Sequence, residues 1–224
     1  MRRESIYLLF LLTFVLAGCA RNIRTSTAYA QASGGSSVAS LKALRKAARG
    51  GAAVAQYKLG VDYYEGSGVP QDITRATRWW KKAAAQGYVR AQTQMAFCYA
   101  KGLGVSKDPA KAVFWAKEAA AQGGATAQYQ LGLYYDKGFG LKKDPVRALY
   151  WWKKAAAQGD EPAQFYVGLD YSEGTGVPKN YARAIYWWTK AATQGEASSQ
   201  YDLGLAYSKG LGVPQNHVKD DYWF

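Results

Sequence analysis

Catalysis needs nucleophiles, bases or metal ligands gathered in constellations, and this chain offers few of them. Its single histidine is His217, in what reads as the last loop, where a surface role is expected. Its two cysteines, Cys19 and Cys98, lie far apart in the sequence. Without a second histidine or a cysteine cluster there is no metal-ligand spacing, and neither a Ser-His-Asp nor a Cys-His arrangement can be assembled. Carboxylates remain: Asp62, Glu65, Asp136, Asp170, Glu173 and Asp202 fall on corresponding segments, and glycoside hydrolysis requires a pair at a set separation. Such columns also occur on any solvated helix face. The expectation is a chain that is no enzyme and needs no cofactor or metal, with a cell-wall hydrolase kept as a third reading behind two kinds of binding.

Two surface features could carry that binding. Lys58 and Tyr64 with Asp62, Gln94 with Cys98 and Lys101, Gln130 and Tyr134 with Lys137, then Tyr166 and Asp170 with Glu173 vary within an otherwise fixed frame. Variation of that kind suits recognition of an extended or helical protein partner in a groove, and it equally suits drift on a solvated face. The second feature is a basic column, Arg75, Lys111, Arg147, Arg183 and Lys219. Seven residues on come Lys82, Lys154 and Lys190, with Glu118 as the exception. On helices stacked about 10 Å apart these would form a cationic strip. Such a strip could meet anionic lipid head groups or glycan phosphates, each charge contributing about 1 kcal/mol near a negative surface, or it could pair with acidic neighbours.

Composition allows a packed protein: 49% of the 224 residues are apolar and 15% aromatic, which excludes general disorder. The balance of 29 Lys and Arg against 16 Asp and Glu gives a net charge of +13 and favours acidic partners. The N-terminus narrows the choice. Arg2 and Arg3 precede an apolar run from Ile6 to Leu16, the pattern of a secretory signal peptide and too short to span a bilayer comfortably. The run closes on Leu16-Ala17-Gly18-Cys19, which resembles the lipobox of bacterial lipoproteins, where the cysteine takes a diacylglycerol and becomes the mature N-terminus. An ordinary cleavage after Ala28-Tyr29-Ala30 is the alternative, but that site lies well beyond the apolar segment. An exported basic protein does not meet chromosomal DNA, so nucleic acid is not expected as a partner. With Cys19 lipidated, Cys98 has no disulfide partner within the chain. It reads as a small apolar residue on a packed helix, or else as a mixed-disulfide site for a partner in an oxidising periplasm.

Residues 19–37 are poor in large apolar groups and read as a tether with a root-mean-square span of about 25 Å. Beyond them the sequence repeats with a period of 36. Gln56, Gln92, Gln128, Gln164 and Gln200 are in register, as are Tyr63, Tyr99, Tyr135, Tyr171 and Tyr207, and Trp79, Trp115, Trp151, Trp187 and Trp223. Two glycine columns begin at Gly66 and Gly68. Because these Gly-x-Gly loops follow helices and recur in every unit, they read as turns and not as nucleotide cradles.

Within a unit, Ala55, Leu59 and Tyr63 share one side of a first helix, A, which Gly66 ends. Asp72, Asp108, Asp144, Asn180 and Asn216 are N-cap residues for a second helix, B, with proline in the first helical position at Pro109 and Pro145. Ala76, Trp79 and Ala83 then give helix B an apolar stripe. So short a helix pair cannot bury its apolar face alone, so neighbours must stack into a superhelix.

The string Ala53-x-Ala55-Gln56-Tyr57-x-Leu59-Gly60, then Tyr63, Gly66-x-Gly68-Val69, Asp72, Ala76, Trp79, Ala83-Ala84 and Gly87, resembles the Sel1-like repeat family. The resemblance covers nearly the whole mature chain. It implies an all-α, right-handed α-solenoid of 36-residue helix-turn-helix repeats, helix A lining the concave face and helix B the convex one. Departures are Ala96 for the helix A glycine in the second unit, Thr93 for the aromatic of Tyr57, and Ser199 for Ala55. Residues 41–51 look like a degenerate helix B that caps the stack, and the fifth unit stops at Trp223-Phe224 with Asp220 where Ala76 sits. That end is expected to fray, or to be completed by a partner or a second copy.

These readings divide the chain into a signal peptide at 1–18, the tether at 19–37 and the repeat solenoid at 38–224. They describe a non-catalytic adaptor held by lipidated Cys19 at the periplasmic face of the outer membrane, since Ala20 is not the aspartate that favours inner-membrane retention. Its partners would be envelope proteins in the concave groove. The alternative is a peptidoglycan or anionic glycan binder using Tyr64, Tyr134, Tyr166 and the basic strip.

Overall fold

The computed structural model describes residues 38–223. The signal peptide, Cys19 and the tether therefore lie outside the described residues, as does Phe224. The described residues form eleven helices: α1 (Val38–Arg49), α2 (Ala53–Glu65), α3 (Ile73–Ala85), α4 (Val89–Lys101), α5 (Pro109–Ala121), α6 (Ala125–Lys137), α7 (Pro145–Ala157), α8 (Glu161–Glu173), α9 (Tyr181–Ala192), α10 (Ala197–Lys209) and α11 (His217–Trp223). Each helix packs on the one before and the one after it, the one-dimensional arrangement that a helix-pair repeat imposes. Helices A are α2, α4, α6, α8 and α10, and α3, α5, α7 and α9 are helices B. None of the described helices is long and apolar enough to cross a membrane.

The caps fall where the side chains place them. Asp72 Oδ1 accepts from Arg75 N at 2.8 Å, and Asp108, Asp144, Asn180 and Asn216 repeat the bond. Gly66 takes φ +78° and its N–H reaches Asp62 O, a left-handed cap open to glycine at no steric cost. The second glycine of each loop has a further reason. A Cβ on Gly104 would stand 2.6 Å from Ile73 O, and one on Gly176 2.8 Å from Pro145 O, so the loop of one repeat lies directly on the start of the preceding repeat's helix B.

Three sequence expectations change. The aromatic at the centre of helix B is Trp80, Trp152 and Trp188, at 2%, 0% and 4% exposure, while Trp79, Trp115, Trp151 and Trp187 are half-buried at the rim. Spacing explains it, because Ala76, Trp80 and Ala83 sit at i, i+4 and i+7, closer to the middle of the inward face than Trp79. His217 opens α11 instead of lying in a loop, with Nδ1 3.7 Å from Asp220 Oδ2. The cap helix α1 begins earlier than residue 41, and it buries Leu41 and Ala48 against α2.

Candidate functional site

The repeated glutamine is the frame's main polar tie. Gln56 Nε2 donates to Ala48 O at 3.2 Å, and its Oε1 accepts from Gln86 Nε2 at 2.7 Å. The same pair of bonds recurs at Gln92 with Ala84 O and Gln122, at Gln128 with Ala120 O and Gln158, and at Gln164 with Ala156 O and Gln194. Each buried amide thus adds a second bond to a carbonyl near the end of the preceding helix, one that also accepts from the glycine three residues on, and is itself satisfied from the next. The second glutamine of each pair follows the first by 30 residues, a regularity visible in the sequence that helical periodicity alone does not flag.

On helix A the frame leaves two varying columns. The first holds Lys58, Gln94, Gln130, Tyr166 and Asp202, and the second Asp62, Cys98, Tyr134, Asp170 and Ala206. Lys58 is exposed, while Gln94 and Gln130 are half-buried; Gln130 Oε1 is buried with no hydrogen-bond partner among the described residues. Burial pushes the Asp62 carboxyl up to about 6, with Glu65 adding to the shift and Arg45 and Lys58 opposing it.

The other candidates do not form an open face. Tyr166 is 1% exposed with its ring stacked on Trp152 at 4.7 Å, and Asp170 is 1% exposed. Every residue of α8 from Pro162 to Ser172 is buried, so a face assigned from one neighbour's packing fails there. Tyr134 is half-buried and donates from its hydroxyl to Ala96 O at 3.4 Å, tying the third repeat to the second; burial raises its phenol well above the usual range. Tyr64 belongs to neither column and lies 5.4 Å from the Trp80 ring. Cys98 is buried and forms no disulfide among the described residues.

The carboxylates are dispersed. Asp136 and Asp202 are buried and Glu65 and Glu173 exposed, and among the described residues no three His, Cys, Asp or Glu side chains gather in a metal-binding group.

The basic column is largely engaged within the chain. Arg75 Nε lies 3.1 Å from Asp72, Lys111 Nζ 2.8 Å from Asp108 and Arg147 Nε 3.3 Å from Asp144. Arg183, whose cap is the neutral Asn180, donates to Tyr171 Oη at 3.2 Å instead. All four also stand over the tyrosine of their own repeat, at 5.7, 5.5, 5.7 and 5.4 Å from the ring centroid. The cap carboxylate and the ring quadrupole both attract the cation there.

Comparison with known proteins agrees with this geometry. The Sel1 repeat family model matches residues 53–88, 89–124, 125–160, 161–196 and 197–219, the same units that the helix pairs define. The chain is 40% identical, with a TM-score of 0.80, to a protective antigen of uropathogenic Escherichia coli that displays an SLR fold, over 82% of this chain and 39% of that one. It is 34% identical, with a TM-score of 0.72, to a Sel1 repeat protein of Oxalobacter formigenes, over 80% of this chain and 72% of that one. A Sel1 repeat protein of Klebsiella pneumoniae shares the fold at 22% identity and a TM-score of 0.52. The search of curated proteins found no match. Repeat period, caps, glutamine ties and five matched units lead to one assignment: the chain belongs to the Sel1 repeat family.

Proposed function

We propose that this protein is a non-catalytic adaptor that binds a protein partner along the concave face formed by its helices A. Sel1 repeat proteins act in protein–protein interaction, and the observation that carries the reading to a face is the column that runs open or half-buried through Lys58, Gln94 and Gln130 before it closes at the buried Tyr166 and Asp202. One position of a fixed frame there carries four kinds of side chain. Within it the Gln130 side chain is half-buried, with its Oε1 unpartnered among the described residues. The lipobox-like Leu16-Ala17-Gly18-Cys19 supports an envelope lipoprotein, held through lipidated Cys19 at the periplasmic face of the outer membrane and serving other envelope proteins.

The test is affinity capture of the full-length protein from gently solubilised envelopes, beside a Lys58→Ala/Gln94→Ala/Gln130→Ala variant. These three side chains leave the Trp152 and Ala96 contacts untouched. The adaptor reading expects one stoichiometric protein with the wild type and about tenfold less with the variant. Equal recovery with both would remove the helix A face from the proposal, and a purified protein whose mass shows no diacylglycerol at Cys19 would remove the anchor.

A further inference from the structure

The outer side of the helix B row carries a stripe that the repeat frame does not require. Phe114, Tyr150, Tyr186 and Tyr222 occupy one position in four successive repeats and are 52%, 51%, 52% and 76% exposed. Each meets the tryptophan beside it nearly edge-on, at 5.0, 5.1, 5.2 and 4.9 Å between centroids. Four residues earlier, one turn along the same face, stand Ala110, Val146, Ala182 and Val218, of which Val146 is 63% and Val218 80% exposed. Exposed apolar groups at random need no explanation, but a contiguous series in register marks a contact surface.

One turn further on come the cations. Lys154 Nζ lies 4.8 Å from the Tyr150 centroid and 5.3 Å from that of Trp151; Lys190 Nζ lies 4.6 Å from Tyr186 and 5.4 Å from Trp187. In the first repeat Lys82 stands 4.6 Å from Trp79, with Arg78 at the position of the exposed ring. Glu118 is the one acidic residue within α3, α5, α7 and α9, and Asp72, Asp108 and Asp144 at their starts already hold Arg75, Lys111 and Arg147. The lysines of the stripe have rings beside them and, among the described residues, no carboxylate in ion-pair distance.

We infer that this stripe is a docking surface for an anionic lipid bilayer, in which Phe114, Tyr150, Tyr186, Val146 and Val218 enter the head-group layer while Lys82, Lys154 and Lys190 contact lipid phosphates. Aromatic rings with a polar edge concentrate at that boundary, and lysines flanking an apolar stripe are drawn to a negative leaflet. Charge complementarity excludes a second copy, because two such faces would oppose lysine to lysine. A polysaccharide would use ring faces and hydroxyls, but Val146, Val218 and Phe114 offer it no hydrogen bond, whereas a bilayer accepts aliphatic and aromatic groups alike. The surface is separate from the helix A face and does not depend on a lipid at Cys19.

The experiment is flotation of the full-length chain, all forms carrying Cys19→Ser, with vesicles of phosphatidylethanolamine containing about one quarter phosphatidylglycerol, and with phosphatidylcholine vesicles. The forms are otherwise wild type, Phe114→Ser/Tyr150→Ser/Tyr186→Ser, or Lys82→Gln/Lys154→Gln/Lys190→Gln. Since their N-termini are identical, differences among them report the stripe. The expected result is at least a fivefold loss of anionic-vesicle binding in both variants, with unchanged helicity by circular dichroism. Tryptophan emission should shift to the blue only with wild type and anionic vesicles. Binding equal to wild type in the aromatic variant overturns the inference. So does wild-type retention on a soluble anionic glycan without any on vesicles, which would make the stripe a glycan site.

Discussion

Single residues set how closely the helices of one repeat approach. Gly60 and Gly168 lie on helix A where a Cβ would stand 2.5 Å from the ring of Trp80 or Trp188, and Gly132 faces Trp152 in the same way. The second repeat has Ala96 in that position and, twenty residues later, Ala116 in place of the tryptophan, so the two departures compensate each other. Helix propensity alone predicts that Gly168→Ala stabilises by about 1 kcal/mol. The packing predicts the opposite sign, a loss of about 1–3 kcal/mol from overfilling, whereas Ala96→Gly should cost no more than about 1 kcal/mol. Urea unfolding of the two variants distinguishes packing from propensity by the sign of the first.

At the scale of elements, a helix B and the following helix A are joined by an amide as well as by apolar contact. Gln128 spans them, giving a bond to Ala120 O at 3.2 Å and taking one from Gln158 at 2.8 Å. Gln128→Leu keeps most of the volume and leaves Ala120 O its bond from Gly123 N, so it is expected to cost about 1 kcal/mol or less. Gln158→Leu removes the donor to the buried Gln128 Oε1 and is expected to cost more, about 1–3 kcal/mol. The midpoints of denaturant unfolding check the order, and equal costs would mean that Gln128 Oε1 finds another donor.

For the whole molecule, a period of 36 with the same caps and the same amide tie at each junction makes repeats interchangeable units. A second copy of residues 125–160 inserted after Asp160 would meet Glu161 through the junction already used, and its own Gln128 would take the Ala156 carbonyl that Gln164 uses in the native chain. Nearest-neighbour stability in stacked repeats predicts that the longer chain folds with unchanged helicity per residue and a higher urea midpoint. A lower midpoint would show that the third repeat packs on a copy of itself less well than on its native neighbours, and that the units are not interchangeable.

By itself the sequence determined the period, the two helices per repeat, their caps and the family, because glycine, Asp and Asn caps and apolar spacing act over a few residues and recur five times. It also marked the glutamine, tyrosine and basic columns, though not their purposes. Tertiary structure alone decided those. Spacing places both Trp79 and Trp80 near the inward face, but the choice of Trp80 depends on how closely α2 sets Gly60 against its ring, and the fate of Tyr166 and Asp170 depends on how α8 is enclosed. Whether Arg75 is a free cation depends on how its long side chain folds back between Asp72 and Tyr63. The exposed series Phe114, Tyr150, Tyr186 and Tyr222 was legible as a column, but in sequence it is indistinguishable from core. Only the packed stack shows which side of a helix its neighbours leave uncovered.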